Sequence, residues 1–200
     1  MLTHIGHSEK VLFMRLFLSV LILIFSLQSW TKADDIRDFE VEGISIGDSA
    51  LDYFSKEQIK DNMSIPPNLE KSKYTQSCFD DYGNTYDRIC IAYKKNSSKK
   101  IIEQIQAQIR YYKDVMDICR IKQNEIDTEL SLLFKNLKRK DWGENPLQVL
   151  KKKYPDAYYH PITYEFADKS RAQLGCYSIN KKTLLKIAVY NLEFALVIRK

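Results

Sequence analysis

The chain has 200 residues, a net charge of +5 and a hydrophobic fraction of 44%, which fits one compact domain and is too short for two ordinary ones. The positive charge is modest and no nucleic-acid-binding motif is present, which argues against a nucleic-acid partner. The basic residues form short clusters, such as the one at residues 151–153, beside predicted regular elements. This pattern is typical of solvated loops, and an anionic surface of the cell envelope is the alternative partner.

The N-terminal 33 residues have the pattern of a secretory signal peptide. Arg15 precedes an apolar run at residues 16–27. Thr31 and Ala33 supply the small side chains that a signal peptidase requires, which predicts cleavage between Ala33 and Asp34. The sequence therefore predicts a signal peptide at residues 1–33 and a single exported domain at residues 34–200, with a net charge of +3 because the cut removes three basic residues and one acidic residue.

Two alternatives concern the same segment. Met14 directly precedes the basic residue and the apolar run, so it is an alternative translation start. The run at residues 16–27 is also an alternative single-pass membrane anchor that stays uncleaved. A bilayer-spanning helix needs about 20 apolar residues, so the shorter run favours a cleaved signal peptide and a periplasmic location.

Four cysteines follow the predicted cut: Cys78, Cys90, Cys119 and Cys176. An even number in an exported chain favours disulfide bonds over metal ligands, and three pairings are possible. Residues 80–84 have a strong turn composition. If Cys78 and Cys90 face each other across a hairpin at this turn, Cys119 and Cys176 pair by elimination. The alternative is that all four are small buried side chains without a bridge.

The predicted elements begin with a short edge strand at residues 39–42. A helix follows, for which Asp48 or Ser49 is the cap and Asp52 completes a capping box with Ser49. Its apolar face contains Leu51, Phe54, Ile59 and Met63.

A hairpin and a long helix come next. Residues 86–93 and 101–112 alternate apolar and polar side chains on either side of a turn, which predicts two paired strands. From residue 113 to residue 137 apolar residues recur at helical spacing, and Gly143 is placed to close this helix. The predicted stripe consists of Val115, Ile118, Cys119, Ile126, Leu130, Leu133, Phe134 and Leu137.

The C-terminal part reads as a short helix at residues 145–153 and then strands at residues 158–166, 172–179 and 191–198, while residues 186–190 are ambiguous. The order of elements predicts an α+β fold. We expect a two-layer structure in which a mainly antiparallel sheet of about five strands carries one long helix and one or two shorter helices on one face.

One segment suggests catalysis. The sequence Gly47-Asp48-Ser49 resembles the block of GDSL-type hydrolases in which the serine is the nucleophile, so Ser49 is the candidate catalytic residue. That family has an Asp-x-x-His pair near the C-terminus, which this chain lacks. The single histidine of the predicted mature chain is His160, with Asp156 four residues before it. These departures favour a helix-capping role for Ser49 and a structural role for His160.

No other pattern predicts a cofactor or a metal. One histidine without a paired cysteine spacing does not form a zinc site, and no phosphate-binding loop or redox Cys-x-x-Cys motif is present. The chain has 13 tyrosines. Several lie on predicted strands, namely Tyr111, Tyr112, Tyr158, Tyr159 and Tyr164. Strand propensity accounts for them, and an aromatic binding face is the alternative.

Residues 35–54 resemble the start of a family of small exported proteins from marine alphaproteobacteria. The resemblance extends to residues 86–94, to residues 129–143 and to Cys176-Tyr177. Members of this family have no characterised activity, so the resemblance implies an exported globular domain. Their cysteines in the long helix and in the late Cys-Tyr strand favour pairing Cys119 with Cys176. Ser178 departs from the Asp-Trp that often follows in the family.

The segment at residues 43–49 is also similar to the Gly-x-Ser start of a helix in small periplasmic assembly proteins of the BamE type. Together these patterns predict an exported periplasmic protein with a non-catalytic role in binding or envelope assembly. The alternatives are a hydrolase that uses Ser49 and a protein anchored in the membrane through residues 16–27.

Overall fold

The computed structural model describes residues 35–83 and 85–198. The predicted signal peptide, the alternative start at Met14, the alternative anchor at residues 16–27 and the cleavage point between Ala33 and Asp34 all lie outside these residues. Within them, no helix is long and apolar enough to cross a lipid bilayer.

The described chain begins with small elements. A 3₁₀ turn at Ile36–Asp38 precedes β1 (Glu40–Val41), which pairs with β2 (Ile44–Ser45). A second 3₁₀ turn spans Ala50–Asp52, and α1 spans Lys56–Asp61.

One antiparallel sheet forms most of the fold. Its strands are β3 (Tyr74–Asp80), β4 (Arg88–Lys94), β5 (Ile102–Tyr111), β6 (Lys138–Asp141), β7 (Asn145–Pro146), β8 (Tyr158–Glu165), β9 (Arg171–Ile179) and β10 (Lys182–Tyr190). Their order across the sheet is β3-β4-β5-β10-β9-β8-β6, and β7 also pairs with β8. The long helix α2 (Met116–Leu133) follows β5, and the short helix α3 (Leu192–Ile198) follows β10. The α+β class is as predicted, but this sheet has eight strands where the sequence suggested about five.

The helices lie on both faces of the sheet, which corrects the prediction of a single helical face. Leu185 and Ile187 of β10 pack with Cys119 of α2. Ala188 and Tyr190 of the same strand pack with Phe194 of α3. Since successive residues of a strand point to opposite faces, α2 and α3 cover opposite sides of β10.

Several predicted elements differ in type or extent. The capping box belongs to α1, where Ser55 and Gln58 form it, whereas Ser49 caps only the second 3₁₀ turn. The long helix ends at Leu133 and not near Gly143. Residues 138–141 form β6, because their backbone pairs with β8 although all four side chains are exposed.

Two further differences lie near the C-terminus. Residues 145–153, predicted as a short helix, form β7 and a third 3₁₀ turn at Gln148–Leu150. Residues 191–198, predicted as a strand, contain α3. The side chain of Asn191 accepts a hydrogen bond of 2.9 Å from the backbone N–H of Phe194 and so caps this helix.

Both edges of the large sheet are protected against pairing with other chains. Beside β3, the backbone of residues 62–64 forms hydrogen bonds of 2.9 Å from Cys78 N–H to Asn62 and 2.8 Å from Ser64 N–H to Gln76. At the other edge, β6 has the sequence Lys-Arg-Lys-Asp, and charged side chains on a short edge strand disfavour association.

The structure contains disulfide bonds, as expected for an exported chain. Cys78 of β3 is joined to Cys90 of β4, with Cα atoms 4.0 Å apart. Cys119 of α2 is joined to Cys176 of β9, with Cα atoms 6.0 Å apart. Cys119 and Cys176 are completely buried, so this second bridge fixes α2 to the sheet inside an apolar cluster.

We expect the two bridges to contribute unequally to stability. Replacing both Cys119 and Cys176 by alanine should lower the free energy of unfolding by about 4 kcal/mol, and replacing both Cys78 and Cys90 by about 3 kcal/mol. The reason is that the bridges close loops of 57 and 12 residues, and the longer loop restricts the unfolded chain more. Urea denaturation of the two oxidised variants measures both values. A larger loss for the Cys78 and Cys90 variant would contradict this assignment.

Candidate ligand-binding face

The face of the sheet that points away from α2 is named the open face here. In an antiparallel sheet, directly opposed residues point to the same side, so the register of the strands identifies its members. They include Gln76, Cys78, Asp80, Arg88, Cys90, Gln104, Gln106, Gln108, Arg110, Tyr159, Pro161, Thr163, Gln173, Gly175, Tyr177, Lys186, Ala188 and Tyr190. This face is mainly polar and aromatic, whereas the face under α2 is mainly aliphatic.

A groove of about 410 Å³ lies on the open face, between α3 and strands β8 and β9. This volume falls in the range of roughly 300–1,000 Å³ that small-molecule sites occupy. The groove is lined by Trp142, Asn145, Tyr159, Pro161, Thr163, Arg171, Gln173, Tyr190, Ala195 and Ile198. Aromatic rings, amides, three hydroxyls and one guanidinium therefore share a single concave surface.

The polar side chains of the groove are held in fixed positions by hydrogen bonds. The indole N–H of Trp142 donates to Thr163 Oγ1 at 3.0 Å. The side-chain amide of Asn145 donates to the backbone carbonyls of Trp142 and Gly143, each at 3.0 Å. These contacts order the groove wall formed by the segment after β6, so a ligand would not have to do so.

The amide of Gln173 orders the groove floor. Its nitrogen donates to the hydroxyl of Tyr177 at 3.1 Å, and its oxygen accepts from the hydroxyl of Tyr190 at 3.4 Å. Tyr177 in turn stacks on Tyr159, with ring centroids 5.3 Å apart and an interplanar angle of 21°. The floor is thus a connected set of planar groups rather than a set of independent side chains.

Two lysines beside the groove lie on aromatic rings. The ammonium of Lys140 is 3.3 Å from the ring centroid of Trp142, and that of Lys186 is 4.3 Å from the ring centroid of Tyr177. Burial lowers the pKa of Lys186 to about 8, whereas burial raises the pKa of Tyr177. Neither lysine has a carboxylate within 4.0 Å in the described part of the chain.

The arginines of the same face are already paired. Arg88 and Arg110 both donate to Asp80, each at 2.7 Å. Arg171 donates through Nη2 to Glu165 at 2.5 Å, while its buried Nε–H has no acceptor among the described residues. The uncompensated positive charge of this region therefore lies on the two lysines.

Helix α3, which forms one wall of the groove, is tied to the sheet by an ionic network. Glu193 accepts hydrogen bonds from Lys73 and, at 2.8 Å, from Lys94, and these two contacts lower the pKa of its carboxyl group. The buried carboxylate of Glu103 accepts from Asn191 at 3.2 Å and from the hydroxyl of Tyr74 at 2.8 Å. Contacts within the chain therefore fix this wall of the groove relative to the sheet.

The residues suggested for catalysis are placed elsewhere and act structurally. The hydroxyl of Ser49 donates to the backbone carbonyl of Lys99 at 2.8 Å and accepts from the N–H of Leu51 at 3.2 Å. Asp48 accepts from the hydroxyl of Tyr53 at 2.5 Å and from the N–H of Ser45 at 2.9 Å. Both side chains thus stabilise the turn between β2 and α1.

His160 lies on β8 and points to the face of the sheet that α2 packs on, which is named the covered face. Its Nε2 is 2.6 Å from Asp141 Oδ1, and its Nδ1 contacts the guanidinium of Arg120. An arginine can only donate, so Nδ1 is the acceptor and Nε2–H is the donor to Asp141. Both ring nitrogens are occupied, and neither contacts Ser49.

Ser49→Ala should lower the free energy of unfolding by about 1 kcal/mol, because the Leu51 N–H and the Lys99 carbonyl each lose a hydrogen-bond partner. Thermal or urea unfolding measures the loss. Ser98→Ala is the matched control at an exposed loop position, since no side-chain hydrogen bond of Ser98 is present among the described residues, and it should change the value by less than about 0.5 kcal/mol. Equal stability of the Ser49→Ala variant and the unmodified protein would contradict the capping role.

The contacts of Asp80 predict a pH dependence of stability. Its hydrogen bonds to Arg88 and Arg110 lower its pKa to about 2, below the ordinary value of 3.8. Since the unfolded chain binds the proton first, the stabilisation is present above the ordinary pKa and is lost as the pH falls towards about 2.

Asp80→Asn should therefore lower stability at neutral pH by up to about 1 kcal/mol, as expected for a partly exposed pair, and the difference from the unmodified protein should close in acid. Urea unfolding at a series of pH values measures this difference. Asp81→Asn is the control, because Asp81 is the adjacent aspartate and forms no ion pair in the described chain. A stability difference between the Asp80→Asn variant and the unmodified protein that stays constant with pH would contradict the lowered pKa of Asp80.

The described residues contain no group of three or more histidine, cysteine, aspartate or glutamate side chains placed to hold a metal ion. The chain matches no protein-family model, and no match is found among curated proteins or solved structures. The open face is therefore assessed on its own geometry.

The structure separates the tyrosines that the sequence suggested as a binding face. Tyr159 lines the groove, whereas Tyr164 lies on the covered face, where its hydroxyl is 2.6 Å from Asp127 Oδ1. Tyr112 is 78% exposed and is not part of the groove. Sequence reasoning missed Trp142 and Gln173, although the alternation of Gln104, Gln106 and Gln108 with apolar residues was a signal for a polar sheet face.

Proposed function

We propose that this protein is an exported, non-catalytic binding protein whose ligand occupies the groove on the open face. The observation that carries the proposal is that the amide and indole groups of the groove are fixed by hydrogen bonds within the chain. Preformed sites of this kind avoid the entropic cost of ordering side chains when a ligand binds.

The structural roles of the serine and the histidine support binding rather than hydrolysis. A serine nucleophile requires a base within hydrogen-bond reach, and the hydroxyl of Ser49 donates to a backbone carbonyl instead. The histidine is engaged by Arg120 and Asp141 on the opposite face from the groove. No contact of the described residues favours the hydrolase alternative.

The proposal places the protein in the periplasm. The two disulfides are compatible with an oxidising compartment, and a signal peptide would direct the chain to export across the inner membrane. A role in envelope assembly, with an envelope protein or an anionic envelope surface as partner, belongs to the same proposal. The alternative is that residues 16–27 stay uncleaved and anchor the protein in the membrane.

Trp142 provides a direct test, because it lines the groove and the other tryptophan, Trp30, lies in the predicted signal peptide. In the exported protein cut after Ala33, all tryptophan emission therefore comes from Trp142. If residues 1–33 are retained, Trp30→Phe removes the second source of emission. Titration with a protein-free extract of bacterial envelope, separated into polysaccharide, peptidoglycan-fragment and lipid fractions, should give a saturable change in emission with at least one fraction.

Tyr159→Ala should abolish this change, because it removes a ring that lines the groove, and Tyr112→Ala is the matched control outside it. Thermal unfolding of each variant establishes that it is folded. Failure of all three fractions to change the emission, or an equal response of both tyrosine variants, would refute binding of a non-protein envelope ligand in the groove.

A further inference from the structure

We infer that the ligand of the groove is an acidic glycan, that is, a chain of several sugar rings that carries carboxylate or other anionic groups. This inference rests on the proposed binding function and names the class of ligand. It follows from the chemistry of the lining groups, from the availability of backbone partners and from the position of the two lysines.

The lining groups fit sugar rings. A pyranose presents an apolar face of C–H groups and a rim of hydroxyls, so its binding sites combine aromatic rings with rigid hydrogen-bonding groups. Trp142 and Tyr159 supply the rings, and Asn145, Thr163 and Gln173 supply amides and a hydroxyl on the same surface. Each of these polar groups retains acceptor or donor capacity beyond the hydrogen bond that fixes it.

The backbone of the groove argues against an extended peptide. Peptides that bind to sheets add a strand at an exposed edge and pair with its free N–H and C=O groups. The groove instead lies over β8 and β9, which pair with each other from Tyr158 opposite Ser178 to Glu165 opposite Arg171. Specific contacts must therefore come from side chains. A polyhydroxylated ligand can bind in this way, because its hydroxyls form hydrogen bonds with side chains.

The charge around the groove selects an anionic ligand. Of the carboxylates near the lining residues, that of Glu165 is neutralised by Arg171 and Lys169, and Glu144 is exposed to solvent. Within the described residues, Lys140 and Lys186 have no carboxylate partner. Lys140 lies on Trp142, which lines the groove, and Lys186 lies on Tyr177, whose hydroxyl accepts from Gln173 of the groove floor. An acidic ligand would compensate both charges, whereas a neutral ligand would leave them unpaired.

The position of the lysines sets the length of the ligand. Lys140 is on β6 and Lys186 is on β10, three strands apart in the sheet order. Three inter-strand spacings and an offset of two residues along the strands place their Cα atoms about 15 Å apart. Because a single sugar ring is shorter than this backbone separation, we expect a ligand that contacts both lysines to contain more than one ring.

Isothermal titration calorimetry with the oxidised protein from a secreting host tests the inference. The probes are tetramers of galacturonate, mannuronate and hyaluronan, the methyl ester of the galacturonate tetramer as the matched neutral ligand, and monomeric galacturonate. At least one acidic tetramer should bind saturably and more weakly as salt is added, and its affinity should exceed that of the ester and of the monomer by about tenfold.

Lys140→Gln combined with Lys186→Gln should weaken binding of that tetramer by about tenfold, because two charged contacts are lost. Lys152→Gln, at an exposed loop position away from the groove, is the charge-matched control and should leave it unchanged. An ester or a monomer that binds as tightly as the tetramer, or a lysine double variant that binds normally, would overturn the inference.

A further arm separates this inference from the proposed function. Vesicles of phosphatidylglycerol carry negative charge without sugar, so binding to vesicles and not to oligosaccharides would overturn the glycan assignment. If every acidic tetramer fails while an envelope fraction still changes Trp142 emission, the ligand class is wrong and the groove function stands. If the envelope fractions fail as well, both are wrong.

Discussion

The alternation of side chains along β10 is the constraint on which the rest of the structure depends. This strand pairs with β5 on one side and β9 on the other, over eight and nine residue pairs respectively. A shift by one residue would move Leu185 and Ile187 from the apolar layer under α2 to the open face and would bury Lys186 in their place. The register of the central strand therefore specifies the core and the groove together.

The two faces that result have different physical tasks. On the covered face, apolar packing and the buried Cys119–Cys176 bridge fix the long helix to the sheet. On the open face, hydrogen bonds and stacked rings hold polar groups in place around a groove. The rigid sheet lies between them, so ligand contacts can be polar without weakening the core. This separation is the physical reason for assigning binding to one face alone.

Periodic features of this fold were predictable, and features that depend on tertiary pairing were not. The alternation at residues 158–166 and the helical spacing after residue 113 correctly indicated β8 and α2. The charged strand β6 has no strand-like composition and exists because its backbone pairs with β8. The sequence of α3 is rich in apolar residues, which suggested a strand. The segment is helical because Asn191 caps it and Phe194 packs on the sheet. Because the groove combines residues from β7, β8, β9 and α3, no spacing in the sequence reveals it.

The pairing of cysteines has a consequence for biogenesis. The bridges join the first cysteine to the second and the third to the fourth in chain order. A polypeptide that crosses a membrane with its N-terminus first exposes Cys78 and Cys90 together, before Cys119 and Cys176 arrive. An oxidase that links thiols in their order of emergence then produces the native connectivity directly. On the proposed export route, the native connectivity therefore follows the order in which the cysteines emerge and requires a thiol oxidant.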